Sequence, residues 1–418
     1  MQMRARALFS ASLLLLALNN LGAAIGYVFQ ALMARALSVA DFGLMNSLLA
    51  FGGLLALPAG IYGSLLQRQW AEKVNAGRAA EADLEWRALL VAASAAAAFG
   101  AAIALTLTPI FGWWLRTDNF TAVIVTILAS ACGMVFSLAI PLATARQWFS
   151  ALGIGSAAGA LLRLALAWLG VHLAVPLSGA IAAGAAGGGI LALIAFVRAQ
   201  RAPRRELPFR RIVPAAREWA APSLAAAALW LLCGSDLVVV RRVHAPQAAG
   251  VFAQVIVLAR IIFFLIGPMT AVIFPKAATA LIASGASSRL LRPALALGAC
   301  VLTPAAALLA WQAPLALTLL SGSADAEAIA LLRLAVWCQL PLSLGQLVIP
   351  ALFARRQERL LLEFTLLAGL LPLGLAFFRG DLRQAFLVEG AVGLLLLAFS
   401  AMRFRRGSTS VIPPPDRG

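Results

Sequence analysis

Long apolar runs alternate with short polar or basic breaks from one end of the chain to the other. The runs lie near residues 8–34, 43–66, 87–110, 119–142, 150–171, 173–197, 218–240, 248–275, 290–311, 328–350, 358–378 and 384–402. A helix needs about 20 apolar residues to cross a bilayer, and each run reaches or approaches that length. The pattern predicts an all-α polytopic membrane protein with about 12 transmembrane helices. An even number of spans puts both termini on one side.

Composition agrees, and charge adds direction. Hydrophobic residues make up 62% of the chain and charged residues 12%, against roughly a quarter in a soluble domain. A net charge of +17 invites a nucleic-acid partner, but the placement of that charge excludes one. Most of the 33 Lys and Arg fall in breaks on the terminal side: the N-terminus, 67–87, Arg146, 198–217, 276–292, 355–359 and the tail. The opposite loops hold Arg35, Arg116, Arg241, Arg242, Arg379 and Arg383. Such a bias orients a membrane protein with its basic side in the cytoplasm. It predicts the cell inner (plasma) membrane with both termini cytoplasmic, and membrane lipids as partners through attraction to anionic headgroups. The first run, preceded by Arg4 and Arg6, is too long for a secretory signal and is read as a membrane helix. Cys132, Cys233, Cys300 and Cys338 lie singly in apolar runs and suggest neither disulfide nor metal.

The longest charged break, "RAQRAPRRELPFRR" at 198–211, lies near the middle of the chain. It divides the sequence into an N-terminal six-helix bundle (1–197), a basic cytoplasmic linker (198–217), a C-terminal six-helix bundle (218–402) and a cytoplasmic tail (403–418). Adding 207 carries Arg35 to Arg242 and Gly43 to Gly250. Six spans per half give the copies the same orientation, a parallel repeat whose transport site lies between the halves.

Each copy has a polar corner before its second helix. Ser38 and Asp41 have capping-box spacing, Pro246 suits a first helical turn, and Gly43 and Gly250 permit close packing. Within the spans, Arg163 and Arg260 lie mid-helix, too deep to snorkel. Buried charge of this kind either pairs within the bundle or lines a cavity, here one that accepts an anionic cargo. Asn19, Gly22, Gly26 and Gln30 share an arc of about 80° on the first helix, a stripe that either packs on a neighbour or lines a hydrophilic path. Asp236 maps onto Phe29, beside Gln30. Arg35 stands at the outer mouth of the expected cavity. Glu363 and Glu389, in the last two spans, are candidate ion-coupling acids or partners of arginines. Arg333 is placed to snorkel, and His172 and His244 to sit at the interface. The segment "QRQWAEKVNAGRAAEADLEWR", with Trp70 and Trp86, reads as an interfacial amphipathic helix and turn.

There is no GxxxxGK[ST] loop, HExxH, GxSxG or kinase-like set, and no soluble stretch large enough for a nucleotide-sugar site. The chain is expected not to be an enzyme and to need no cofactor.

The run "GYVFQALMARALSVADFGLMNSLLAFGGLLALPAG", followed by "QRQWAEKVNAGR", resembles the N-terminal region of bacterial polysaccharide-biosynthesis proteins. These are the oligosaccharide flippases of the multidrug/oligosaccharidyl-lipid/polysaccharide (MOP) exporter superfamily. The stretch "SDLVVVRRVHAPQAAGVFAQVIVLARIIFFLIGPMTAVIFPKAA" is similar to the corresponding second-half region, the match carried by Asp236, Gly250, Phe252, Pro275 and Lys276. The resemblance implies two six-helix bundles in a V around a central cavity, alternating between inward- and outward-open forms. It also implies an undecaprenyl-pyrophosphate-linked glycan as cargo, an ion gradient or membrane potential as driving force, and polysaccharide polymerase and glycosyltransferases as candidate partners.

The expectation is a flippase for a lipid-linked oligosaccharide in cell-surface polysaccharide assembly. Two alternatives stand beside it. One is a cation-coupled drug or small-molecule antiporter of the same superfamily, which calls for an acid-dominated cavity. The other is a non-transporting scaffold for glycosyltransferases.

Overall fold

The structure is a computed structural model and describes residues 2–200, 219–265, 288–349, 352, 358–378 and 380–406. Most of the linker expected at 198–217 lies outside the described residues, as do Pro275, Lys276, Arg379 and the tail beyond 406. No strand occurs among the described residues. The helices are α1 (Gln2–Ala36), α2 (Val39–Leu55), α3 (Leu57–Asn75), α4 (Ala79–Thr106), α5 (Thr108–Leu115), α6 (Phe120–Ser137), α7 (Ala139–Ala145), α8 (Phe149–His172) and α9 (Pro176–Ala199). There follow α10 (Ala220–Cys233), α11 (Ser235–Val243), α12 (Pro246–Phe264), α13 (Ser288–Trp311), α14 (Ala313–Ser321), α15 (Ala326–Gln346), α16 (Glu358–Ala368), α17 (Leu370–Phe377) and α18 (Leu382–Arg406).

Nine spans among the described residues are long and apolar enough to cross a membrane, and up to 12 if each of three bent helix pairs is one span. The chain is a multi-pass membrane protein. Large apolar side chains such as Val91, Phe99, Trp311 and Phe377 face outward, as hydrocarbon solvent allows. The bends depart from the continuous runs expected. The α2–α3 pair turns by 48° and the α13–α14 pair by 72°, where Pro58 and Pro314 open the second helix of each pair. Proline has no N–H to continue the ladder and its ring crowds the preceding turn. The α10–α11 pair also bends by 48°, and its break falls at Gly234, where a Cβ would stand 2.8 Å from the Trp230 indole nitrogen.

The chain divides into two compact units. The first comprises Met1–Ala226, Leu237–Gln254 and Leu320–Gly322, the second Ala227–Asp236, Val255–Leu319 and Ser323–Gly418.

In the first unit α8 packs on α1 and α9, with glycine at the crossings. A Cβ on Gly22 would meet Ser156 Oγ at 2.9 Å, one on Gly170 would meet Gly179 Cα at 3.0 Å, and one on Gly159 would press on the Gly187 carbonyl. Gly155 and Gly159 therefore accommodate a neighbouring helix, α9.

The polar corner is a cap. The Ser38 hydroxyl accepts the Asp41 N–H at 3.1 Å and donates to the Asp41 carboxylate at 2.7 Å. One helical turn later Gly43 meets Gly250, where a Cβ would stand 2.7 Å from the Gly250 Cα. Ser47 Oγ donates to the carbonyls of Gly43 and Leu237. Arg241 completes this end of the unit: its guanidinium donates to the carbonyls of Leu115 (3.0 Å), Ala40 (3.2 Å) and Arg116 (3.2 Å). Arg116 in turn donates to the His244 carbonyl at 3.3 Å.

At the opposite end, the two tryptophans of the segment expected to lie in the interface are part of the core. Trp70 and Trp86 are fully buried, in a cluster with Leu66, Leu89, Leu138 and Leu142. Their indoles donate to Glu85 (3.1 Å) and the Leu138 carbonyl (3.0 Å), and Lys73 pairs with Glu85. Each indole N–H meets a protein acceptor, so neither tryptophan needs the headgroup region.

The glycine contacts yield a contrast. Gly250→Ala drives a methyl into the Val39 carbonyl and is expected to cost about 1–3 kcal/mol. Gly60→Ala, with nothing within 4 Å, is expected to leave stability unchanged or slightly raised. Thermal melting of the purified protein followed by gel filtration separates the two, and equal melting points would contradict the close approach.

Candidate functional site

The second unit holds a buried charged cluster assembled from four helices. Asp236 lies in the first turn of α11, just beyond the break at Gly234, where the free N–H groups of a helix start favour an acid. Arg260 projects from α12 and donates through Nη2 to Asp236 Oδ1 at 2.6 Å and Oδ2 at 2.7 Å. On α15, Gln339 donates to Glu389 Oε2 of α18 at 2.7 Å. Two glycines bring these helices together: a Cβ on Gly393 would stand 2.6 Å from the Leu342 nitrogen, and one on Gly390 would stand 3.1 Å from Cys338 Sγ. Arg260 is in electrostatic contact with both Asp236 and Glu389. Asp236, Gln339 and Glu389 are at most 2% exposed. Arg260 is thus paired with Asp236, and the Glu389 carboxyl lies near enough to act on it electrostatically; Glu389 Oε1 has no hydrogen-bond partner among the described residues.

The first unit holds the other mid-span arginine. Arg163 of α8 lies over the Phe29 ring of α1, its Cζ 3.9 Å from the ring centroid. This is cation–π geometry. Its Nε is buried without a hydrogen-bond partner among the described residues. One residue on from Phe29, Gln30 donates to Asn46 Oδ1 at 3.2 Å, and Asn46 donates to the Phe42 carbonyl at 3.0 Å. Gln30 Oε1 is buried and unpartnered.

The polar stripe on α1 therefore has two fates. Gly22 packs against α8, whereas nothing lies within 4 Å of the Cβ position of Gly26, and Asn19 is exposed. Arg35 is exposed in the last turn of α1, where a cation suits the carbonyl end of the helix. Glu363 is held at the surface by Arg403 (2.6 Å) and Arg359 (3.4 Å). It is not part of the cluster around Glu389. Arg333 is exposed and donates to the Ala310 carbonyl at 3.3 Å, and His172 lies 3.9 Å from Trp168 between ring centroids.

Of the residues singled out from the sequence, the structure brings together Asp236, Arg260 and Glu389 in one unit, and Arg163 and Gln30 along one helix pair in the other. Gln339 and Asn46 were missed. Both are amides in apolar runs, Gln339 two residues before Pro341 and Asn46 one turn after Gly43, and a deep amide in such a run is the signal that points to them.

No protein-family model matches the sequence, and no curated protein matches it. Solved structures do match. An inward-facing multidrug resistance MATE family transporter of the MOP superfamily has 14% identity and a TM-score of 0.69, over 96% of this chain and all of that one. The lipid II flippase MurJ, in an inward closed conformation, has 10% identity and a TM-score of 0.70, over 95% of this chain and 87% of that one. A MOP superfamily transporter from Pyrococcus furiosus, described as having a binding pocket of reverse polarity, has 13% identity and a TM-score of 0.59, over 96% of each chain. The chain has the fold of the MOP-superfamily transporters. At these identities the likeness concerns the fold alone. It agrees with the helix count expected from the sequence and with the fold implied by the two quoted stretches.

The buried pair gives a double-mutant prediction. Asp236→Ala leaves Arg260 without its acid and is expected to cost about 3–5 kcal/mol, whereas Asp236→Leu with Arg260→Met is expected to recover most of that loss. Thermal unfolding of the single and double variants measures this. A single variant as stable as the parent would show that the pair does not hold the unit together.

Proposed function

We propose that this chain is a transporter that flips a polyprenyl-pyrophosphate-linked oligosaccharide across the cytoplasmic membrane by alternating access, for cell-surface polysaccharide assembly. The observation that carries this reading is Arg163, a mid-span cation whose Nε is buried without a hydrogen-bond partner among the described residues and which meets only the face of Phe29 among the contacts described. A pyrophosphate cannot enter hydrocarbon unaided. Guanidinium groups replace its water with short, charge-assisted bonds of bidentate geometry. Few such groups suffice, because a cargo held too tightly does not leave. The lipid tail stays in the bilayer while the head group crosses. Likeness in fold to a lipid II flippase supports this reading.

In this scheme Arg163 is the principal anion contact, and Asn19, Gln30 and Arg35 offer further polar contacts to the glycan. Arg260 and Asp236 form the neutral half of the second unit's cluster. Glu389, the second carboxyl near one guanidinium, is the ion-coupling group, because a proton or small cation taken up there balances its charge. Glu363, clamped by two arginines, serves at the surface. The halves 1–197 and 218–402 are the two bundles of the transport cycle, joined by the linker 198–217 and followed by the tail 403–418. Both termini lie in the cytoplasm of a cell whose inner membrane houses the protein. Polymerase and glycosyltransferases are its proposed neighbours. The chain itself catalyses no reaction.

A cation-coupled drug antiporter is the second reading. Likeness in fold to a multidrug resistance transporter supports it, as do the two buried carboxyls near a single arginine. An antiporter is sensitive to Glu389 and indifferent to Arg163.

Two measurements decide between them. In proteoliposomes, Arg163→Ala is expected to slow flipping of a labelled polyprenyl-pyrophosphate glycan at least tenfold, about 1.4 kcal/mol, with normal insertion and partial recovery in Arg163→Lys. A parent protein that does not flip the glycan would sink the flippase reading, and unchanged flipping in Arg163→Ala would remove Arg163 as the anion contact. Glu389→Gln, which keeps a hydrogen-bonding partner for Gln339, is expected to abolish the response of transport to an imposed ion gradient, whereas Glu363→Gln is expected to preserve it. A gradient response that survives Glu389→Gln removes Glu389 from coupling.

A further inference from the structure

Where α4 begins, α7 ends, α8 begins and α9 ends, the first unit gathers two arginines on one aspartate and a third arginine that shares a tryptophan ring with one of them. Asp83 and Arg87 stand one turn apart on α4. Arg146, which caps α7, reaches Asp83 Oδ2 through Nη2 at 3.3 Å. Both Arg87 and Arg146 act electrostatically on Asp83. The short turn between α7 and α8 is closed by two backbone bonds, Trp148 N–H to the Ala143 carbonyl (2.8 Å) and Gln147 N–H to the Thr144 carbonyl (3.0 Å). Gln147 takes the left-handed conformation, with φ 54°, as a Schellman helix end requires. That turn fixes where Trp148 emerges, and its ring receives two cations: Arg146 at 5.5 Å and Arg198, from the last turn of α9, at 5.1 Å.

The charges do not balance. Glu85, also on α4, is taken by Lys73 and Trp70, so Asp83 alone faces Arg87 and Arg146, and Arg198 adds a third guanidinium on the Trp148 ring. Donors are left over as well. Arg87 Nε and Nη2 and Arg146 Nε are buried with no hydrogen-bond partner among the described residues. A buried charged donor without an acceptor is costly, and like charges close together add to that cost. One ligand class relieves both: a compact anion with several acceptor oxygens. Planar guanidinium groups match the oxygens of a phosphate, and basic pockets between helices at the cytoplasmic end of membrane proteins take lipid head groups in this way.

We infer that Arg87, Arg146 and Arg198, with Trp148, form a phosphate-binding site at the end of the first unit, separate from the cargo contacts at Arg163. Its occupant is the phosphate of an anionic phospholipid of the surrounding leaflet or free inorganic phosphate, the same chemistry from two sources. The anion bridges arginines from α4, α7 and α9, and so stabilises this end of the bundle.

The test is thermal melting of the purified, delipidated protein titrated with phosphatidylglycerol, with zwitterionic phosphatidylcholine, or with inorganic phosphate. Phosphatidylglycerol is expected to raise the melting temperature and phosphatidylcholine to leave it in place. The half-saturating concentration is expected to rise about tenfold in Arg87→Gln and again in Arg198→Gln, the scale of one charge-assisted bond each. Neither variant removes a hydrogen bond found among the described residues, and Arg198 is exposed, so both are expected to fold. Stabilisation by inorganic phosphate with the same arginine dependence assigns the site to the free anion, and stabilisation by the lipid alone assigns it to the bilayer. Arg163→Ala is the control and is expected to leave the titration unchanged whether or not it impairs flipping. An Arg87→Gln/Arg198→Gln variant that responds like the parent, or a parent that responds to neither anion, overturns the proposal.

Discussion

Hydrocarbon offers no hydrogen bonds, and the architecture follows from that constraint. Each polar group within a span must find its partner in the protein. The backbone meets this demand by being helical wherever it crosses. Where the ladder is interrupted, at Pro58, Gly234 and Pro314, the chain bends and starts a new helix. Side chains meet the demand in pairs: Gln30 with Asn46, Gln339 with Glu389, Arg260 with Asp236. Glycine makes the pairing feasible, because helices that approach backbone to backbone bring short polar side chains within reach of each other. Gly390 and Gly393 do this for Glu389 and Gln339.

The two mid-span arginines show how one residue type takes opposite roles. Arg260 holds both oxygens of one carboxylate on a single nitrogen, and breaking that pair exposes a charge to an apolar interior. Its net effect on stability is small, but the loss of one partner is large. Arg163 has an aromatic face in place of an acid. Cation–π contact offsets part of the desolvation cost without satisfying the N–H donors, which makes Arg163 the more available of the two.

The span count was legible because about 20 apolar residues between polar breaks have few other readings in a chain so short of charge. The cap at Ser38 and the crossing at Gly43 and Gly250 were legible because both are local chemistry at a helix entry. Partners were not. Arg260 and Asp236 stood out one by one as deep charges, yet no rule of spacing joins residues on different helices. In a soluble helix a polar face marks the outside. In a membrane helix both faces are apolar, so the sequence hides which side meets protein and which meets lipid. Trp70 and Trp86 were misread for that reason. Tryptophan beside charged residues is typical of a headgroup belt, and only the packing of α3 and α4 against Leu138 and Leu142 shows these rings to be core.

Arg241 has a consequence for biogenesis. Its three bonds close the ends of α2 and α5, but it is made some 125 residues after Arg116, beyond the basic linker. During synthesis the helices up to α9 therefore enter the bilayer with the carbonyls of Leu115 and Arg116 still waiting for this donor. That end closes only when α11 arrives and returns its arginine to helices already inserted. The order of translation thus makes α11 a late step in assembling the first unit, and a chain stopped before it is left with an unfinished end.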